Sequence, residues 1–159
     1  MATSEEERNR SKLQGFLEDK LKWHDYTHLI VADDDMDPAT WFIHTLGLAR
    51  TKHPELILTG TLDSQLAMDV ISDVVAYARQ HGGLADQALP GQAVRIPVQL
   101  RDVSTPFVLK QRVAQASSRF GESIRVFQVL WADDNGRFPD DPAYNQQKSP
   151  QQTLWDAGR

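Results

Sequence analysis

TWFIHTLGLARTKHPELILTG, residues Thr40–Gly60, contains two β-strands and the turn between them. Leu56-Ile57-Leu58 is a continuous apolar run, as expected of a strand covered on both faces, so Glu55–Thr59 reads as a buried strand that Gly60 ends. Thr40–Thr45 reads as its neighbour. The stretch joining them is shorter than the dozen or more residues a parallel crossover needs, so antiparallel pairing is expected. Pro54 pushes His53 into an extended conformation and fixes the approach to the buried strand.

Upstream, Thr27–Ala32 is rich in β-branched residues and reads as a third strand, followed by the acidic loop Asp33–Pro38. Before it, Leu13, Phe16, Leu17 and Leu21 recur at helical spacing and predict a helix from about Ser4 to Leu21. Downstream, Asp63 suits the N-cap of a second helix with Leu66, Val70, Ile71, Val74 and Ala78 on one side. His81-Gly82-Gly83 stops it. Val94, Ile96, Val98 and Leu100 alternate with polar residues and Pro97, predicting a strand that Pro97 confines to a sheet edge.

Thr105-Pro106 opens a third helix carrying Leu109, Val113, Ala116 and Phe120, closed by Gly121. Ile124–Trp131 is a final, central strand, and Asp134-Asn135-Gly136 a tight turn from which Arg137-Phe138 can pair back briefly. The expected fold class is α+β, a single domain with a mainly antiparallel sheet of about five strands and three helices. Its expected parts are an N-terminal helix over 1–22, a core over 23–141 and a polar, Gln-rich tail over 142–159 draped on the domain, with Trp155 docking.

A chain of 159 residues is large enough to bury a core without staples. It contains no Cys, which removes disulfides, Cys nucleophiles and iron–sulfur clusters. The acidic start MATSEEERNR is unlike a secretory signal, and no apolar run approaches the roughly 20 residues that span a bilayer. A soluble, cytoplasmic protein without a membrane partner is the expectation. With 17 Lys and Arg scattered along a chain of net charge −5, the basic face of a nucleic-acid binder is not apparent.

His24 and His28 are four apart, but they lead into a strand, where such residues lie roughly 13 Å apart. A surface His24 and a half-exposed His28 are expected. His44, His53 and Glu55 could converge as a His/His/carboxylate set able to bind a metal or serve as acid and base. The bland reading, which carries more weight without converging geometry, is that His53 and Glu55 bond loop backbone and make the corner a structural clasp. The acidic runs from Asp33 and Asp133 fail the calcium-loop pattern, since Pro38 and His44 stand where the first needs glycine and a bidentate glutamate. No GxSxG, Walker loop, HExxH or GxGxxG occurs.

Phe42-Ile43-His44-Thr45-Leu46-Gly47-Leu48, then His53-Pro54-Glu55-Leu56 and Gly60, resemble the first hallmark of the bacterial family of unknown function numbered 4262. Gln128-Val129-Leu130-Trp131-Ala132-Asp133 with Gly136-Arg137-Phe138-Pro139 resembles the second. The resemblance runs from about Trp23 to Trp155 and implies a bacterial or phage protein with no established activity. The family usually carries Tyr at the place of His44.

If the two hallmark turns lie at one end of the sheet, Trp41, Gly47, Trp131, Gly136 and Phe138 would form a rim for a ligand or partner; otherwise Trp131 and Phe138 are core residues. The leading expectation is an accessory binding domain for a protein partner or small ligand. The alternative is a small hydrolytic enzyme, metal-dependent or not, using His53, Glu55 and Asp133 with His44 as ligand or base. Neither reading names a cofactor, metal or partner.

Overall fold

The computed structural model describes residues 3–32 and 37–157. The expected acidic loop therefore falls largely outside the described residues, apart from Asp37, whose side chain caps a short 3-10 helix at Pro38–Thr40. Six strands form one sheet: β1 (Thr27–Val31), β2 (Phe42–Leu46), β3 (Glu55–Thr59), β4 (Gln87–Ala88), β5 (Val98–Asp102) and β6 (Val126–Trp131). Their order is β1-β2-β3-β6-β5-β4. All neighbours are antiparallel except β3 and β6, which run parallel with Glu55 opposite Val126 and Ile57 opposite Gln128. The fold is α+β, and the sheet has one strand more than expected, since the two-residue β4 is too short to leave a sequence pattern.

One face of the sheet is covered by α2 (Ser64–His81), whose Ala67, Val70, Ile71, Val74 and Val75 meet Ile43, Leu56, Leu58, Phe127 and Val129. The other is covered by α1 (Ser4–Trp23), α3 (Pro106–Gln111), α4 (Ala114–Phe120) and the C-terminal segment, through Leu17, Val108, Leu109, Ala116 and Leu154. α1 starts with a Thr3/Glu6 capping box, two reciprocal bonds that satisfy otherwise free N–H groups. Its apolar stripe is mostly not a core stripe. Only Leu17 is fully buried, while Leu13 and Phe16 are 40% and 55% exposed.

Four expectations need correction. The strand anticipated at Val94 begins only at Val98, because the Asp73 carboxylate takes both the backbone N–H and the guanidinium of Arg95 and ties that residue to α2. Pro97 sits just outside the ladder, and β5 is interior, between β6 and β4. The third helix is two: the Ser117 hydroxyl donates to the Leu109 carbonyl at 2.7 Å, and Arg112-Val113 turn the chain between α3 and α4. Arg137-Phe138 form no strand. Two backbone bonds, from Asp133 N–H to Arg137 C=O at 2.8 Å and from Gly136 N–H to Asp133 C=O at 3.0 Å, close that turn.

The C-terminal segment is bound into the sheet. Gln128, fully buried in β6, donates through Nε2 to Thr59 Oγ1 (3.1 Å) and to the Gln152 carbonyl (2.7 Å), and accepts from the Leu154 N–H (2.9 Å). Thr59 donates to the same Gln152 carbonyl at 2.7 Å. Gln151 bridges the Trp131 carbonyl (2.7 Å) and the Tyr144 hydroxyl (2.6 Å). A Cβ on Gly60 would come within 2.2 Å of the Pro150 carbonyl, and φ there is +99°. Among the described residues, no helix is long and apolar enough to cross a membrane.

Two histidines are drawn into this interior, His44 on β2 and, in part, His28 on β1. Burial lowers the pKa of both: for His44 against a bond from Nδ1 to the Thr45 carbonyl, for His28 against the charge of Asp69. Their neutral forms are favoured in the folded state. Their contribution to stability is therefore present above the ordinary value of about 6.5 and lost as pH falls toward the depressed values. The urea midpoint is expected to fall between about pH 7 and pH 5, with a shallower fall in His44→Phe. Equal slopes for the two proteins would refute the assignment to His44.

Candidate functional site

At the end of the sheet where β2 leaves and β3 begins, the chain folds back through a 3-10 helix at Leu48–Thr51. Glu55 organises this corner. Its fully buried carboxylate accepts from Thr45 Oγ1 (2.9 Å) and Leu48 N–H (3.1 Å) on one oxygen, and from Gly47 and Ala49 N–H (both 3.2 Å) on the other. These amides are the free donors that open any helical turn, and an anion suits them. Burial pushes the Glu55 pKa above the ordinary carboxylate value, while the four donors hold it back.

Around the clasp the loop is pinned on its outer side. Gly47, at φ +122°, approaches α1 so closely that a Cβ would lie 2.9 Å from the Asp25 carbonyl and from Leu21. Arg50 crosses the same gap and donates to the carbonyls of Leu21 (2.7 Å), His24 (2.8 Å) and Asp25 (2.6 Å), closing the C-terminal end of α1. Lys52 ends the turn in the left-handed conformation (φ 62°), the sole non-glycine with positive φ among the described residues. Such a conformation costs an L-residue about 1–2 kcal/mol, so the surroundings must enforce it.

The expected catalytic set does not converge. Glu55 spends its carboxylate on the loop, and His44 lies buried along β2 with Nδ1 on its own strand's backbone. His53 is half-buried, and among the described residues its side chain makes no hydrogen bond. Asp133 follows β6, and because β3 and β6 are parallel it lies at the opposite end of the sheet from Glu55. There it accepts from the N–H groups of Asn135 (2.9 Å), Arg137 (2.9 Å) and Asn145 (3.0 Å). Burial tends to raise its pKa, but those backbone donors outweigh it and hold Asp133 below the usual value. Among the described residues, no three His, Asp or Glu side chains cluster closely enough to hold a metal ion.

The expected rim is likewise divided. Gly47 lies at the Glu55 end, whereas Trp41, Trp131, Gly136 and Phe138 lie toward the Thr59 end. Trp131 is a core residue whose Nε1 donates to the Thr59 carbonyl at 3.0 Å. Trp41 is 40% exposed and borders a smaller cavity of about 290 Å³ with Ile30 and Leu62. Phe138 is half-buried in a separate cavity beside Val94 and Ile96.

Two larger cavities adjoin the Glu55 clasp, and His53 lines both. The first, about 640 Å³, lies between the end of α1, Arg50 and Arg79. The second, about 480 Å³, lies between Lys52, Gly82-Gly83 after α2, Phe120 at the end of α4, and Arg125. No pattern of side-chain spacing announces this double cleft. Lys52, Phe120 and Arg125 are far apart in sequence and meet only because β3 and β6 start side by side.

The family model described as a domain of unknown function (DUF4262) matches residues 21–145. No curated protein and no solved structure gives a significant match to the chain.

Proposed function

The chain belongs to the DUF4262 family, a domain of unknown function, and from the geometry of the Glu55 corner we propose that it is an accessory binding domain whose ligand surface is the double cleft around His53. The observation that carries this reading is the use of Glu55. A buried carboxylate saturated by three backbone N–H groups and a hydroxyl is a scaffold for a loop. The loop it stiffens carries Arg50, Lys52 and His53 into the two cavities. Binding sites are concave and place a few polar groups precisely, and here charged and polar side chains make up at least half of the lining, which suits a polar or charged ligand.

The hydrolytic alternative draws less support, because Glu55 and Asp133 sit at opposite ends of the sheet and each is held by backbone donors. A small-fragment screen on the full chain, read by amide chemical shifts, tests the proposal. Hits are expected to cluster on Lys52, His53, Gly82, Gly83, Phe120 and Ile124, and to weaken in His53→Ala. Hits gathered around Trp41 or Phe138, with the cleft silent, would overturn it.

A further inference from the structure

Charge is distributed unevenly around this cleft. Its walls hold five of the chain's 17 Lys and Arg side chains, namely Lys22, Arg50, Lys52, Arg79 and Arg125. Against them stands a single one, Asp25, of 22 Asp and Glu. A concave region of one sign on a chain of net charge −5 raises the local concentration of anions.

Much of that charge already has a partner. Arg50 closes α1, Arg79 pairs with Asp25 at 3.4 Å, and Arg125 pairs with Asp102 at 3.1 Å. Those contacts account for three of the cations as structural. Lys52 and His53 differ: among the described residues neither side chain makes a hydrogen bond or ion pair, and both line the second cavity, while His53 also lines the first. The left-handed backbone at Lys52 (φ 62°), held by its N–H on the Ala49 carbonyl, fixes where that side chain leaves the loop. Beside them the wall turns apolar, with Phe120, Ile124 and Leu84, while a Cβ at Gly82 or Gly83 would meet nothing within 4 Å.

Resting on the binding reading above, we propose that the cleft takes a small organic phosphate, its phosphate between Lys52 and His53 and its apolar part against Phe120 and Ile124. A phosphate monoester brings up to two charges and three acceptor oxygens to a compact pair of donors, more than a single carboxylate can offer. Partial neutralisation of the neighbouring arginines leaves a site for one such group and no track for a polymer.

The test uses the full chain titrated with phenyl phosphate, benzoate and benzyl alcohol, followed by amide chemical shifts. Phenyl phosphate is expected to move Lys52, His53 and Phe120–Ile124, with affinity falling as salt is added. Lys52→Asn, which tolerates the left-handed backbone, and His53→Gln are each expected to weaken it on the order of tenfold with unchanged melting temperature. Benzoate or benzyl alcohol binding in the same place as tightly would overturn the phosphate assignment and leave the binding reading standing. If no probe moves the cleft and phenyl phosphate binds elsewhere or not at all, both fail.

Discussion

Glu55→Ala should lose about 3–5 kcal/mol of folding stability, a large share of what a domain of this size possesses. The mechanism is not the loss of an attractive pair but the orphaning of donors. Three amide N–H groups and the Thr45 hydroxyl lose their acceptor inside a region that excludes water. Each unsatisfied buried donor costs roughly 1–3 kcal/mol, reduced where water can enter beside the half-buried Ala49. Glu55→Gln should be milder, since the amide oxygen still serves two donors while its NH₂ faces the others. Urea unfolding measures the loss, and amide exchange should accelerate at Gly47, Leu48 and Ala49. A loss below about 1 kcal/mol for the alanine variant would mean that the loop holds itself, contrary to the clasp.

Cutting the chain after Asn145 should be as damaging or worse, on the order of 5 kcal/mol. The cut removes Leu154 from the core, where it is fully buried, and takes away the Gln152 carbonyl and the Leu154 N–H from Gln128. Trp131 loses the Gln151 side chain from its carbonyl, and Thr59 loses its acceptor. The shortened protein is expected to bind hydrophobic dye and to give poorly dispersed amide spectra, as loosely packed states do. Gly60→Ala tests the same joint by a single methyl, which must displace the Pro150 carbonyl or the strand. A well-dispersed spectrum and near-normal urea midpoint for residues 1–145 would show the segment to be dispensable.

The alternation and capping patterns made the central architecture legible. Asp63 caps α2 through the Leu66 N–H, Thr105 caps α3 through the Val108 N–H, and Glu55–Thr59 is a strand covered on both faces. These signals are local, so a single segment suffices to read them. Val94–Pro97 misled because its alternation is real but an ion pair from another element, Asp73, claims Arg95. Of the clasp expected from Glu55 and His53, the Glu55 bonds to loop backbone are present and, among the described residues, side-chain bonds of His53 are not, a distinction that hydrogen-bond geometry makes and residue type cannot. The rim could not be read at all without the direction of β6: the parallel step from β3 sends the two hallmark turns to opposite ends of the sheet. Lys52 and Arg125 carried no motif, and only the topology makes them neighbours.

The joint between the sheet and the C-terminal segment also sets a timetable for synthesis. Thr59 finds its acceptor 93 residues later, at Gln152, and Gln128 must await Leu154. At translation speeds of 5–20 residues per second, Thr59 emerges roughly 5–20 s before its partner exists. Throughout that interval the middle of the nascent sheet carries polar side chains that only water or a chaperone can satisfy. Only once residues 152–154 have been added can this part of the interior close.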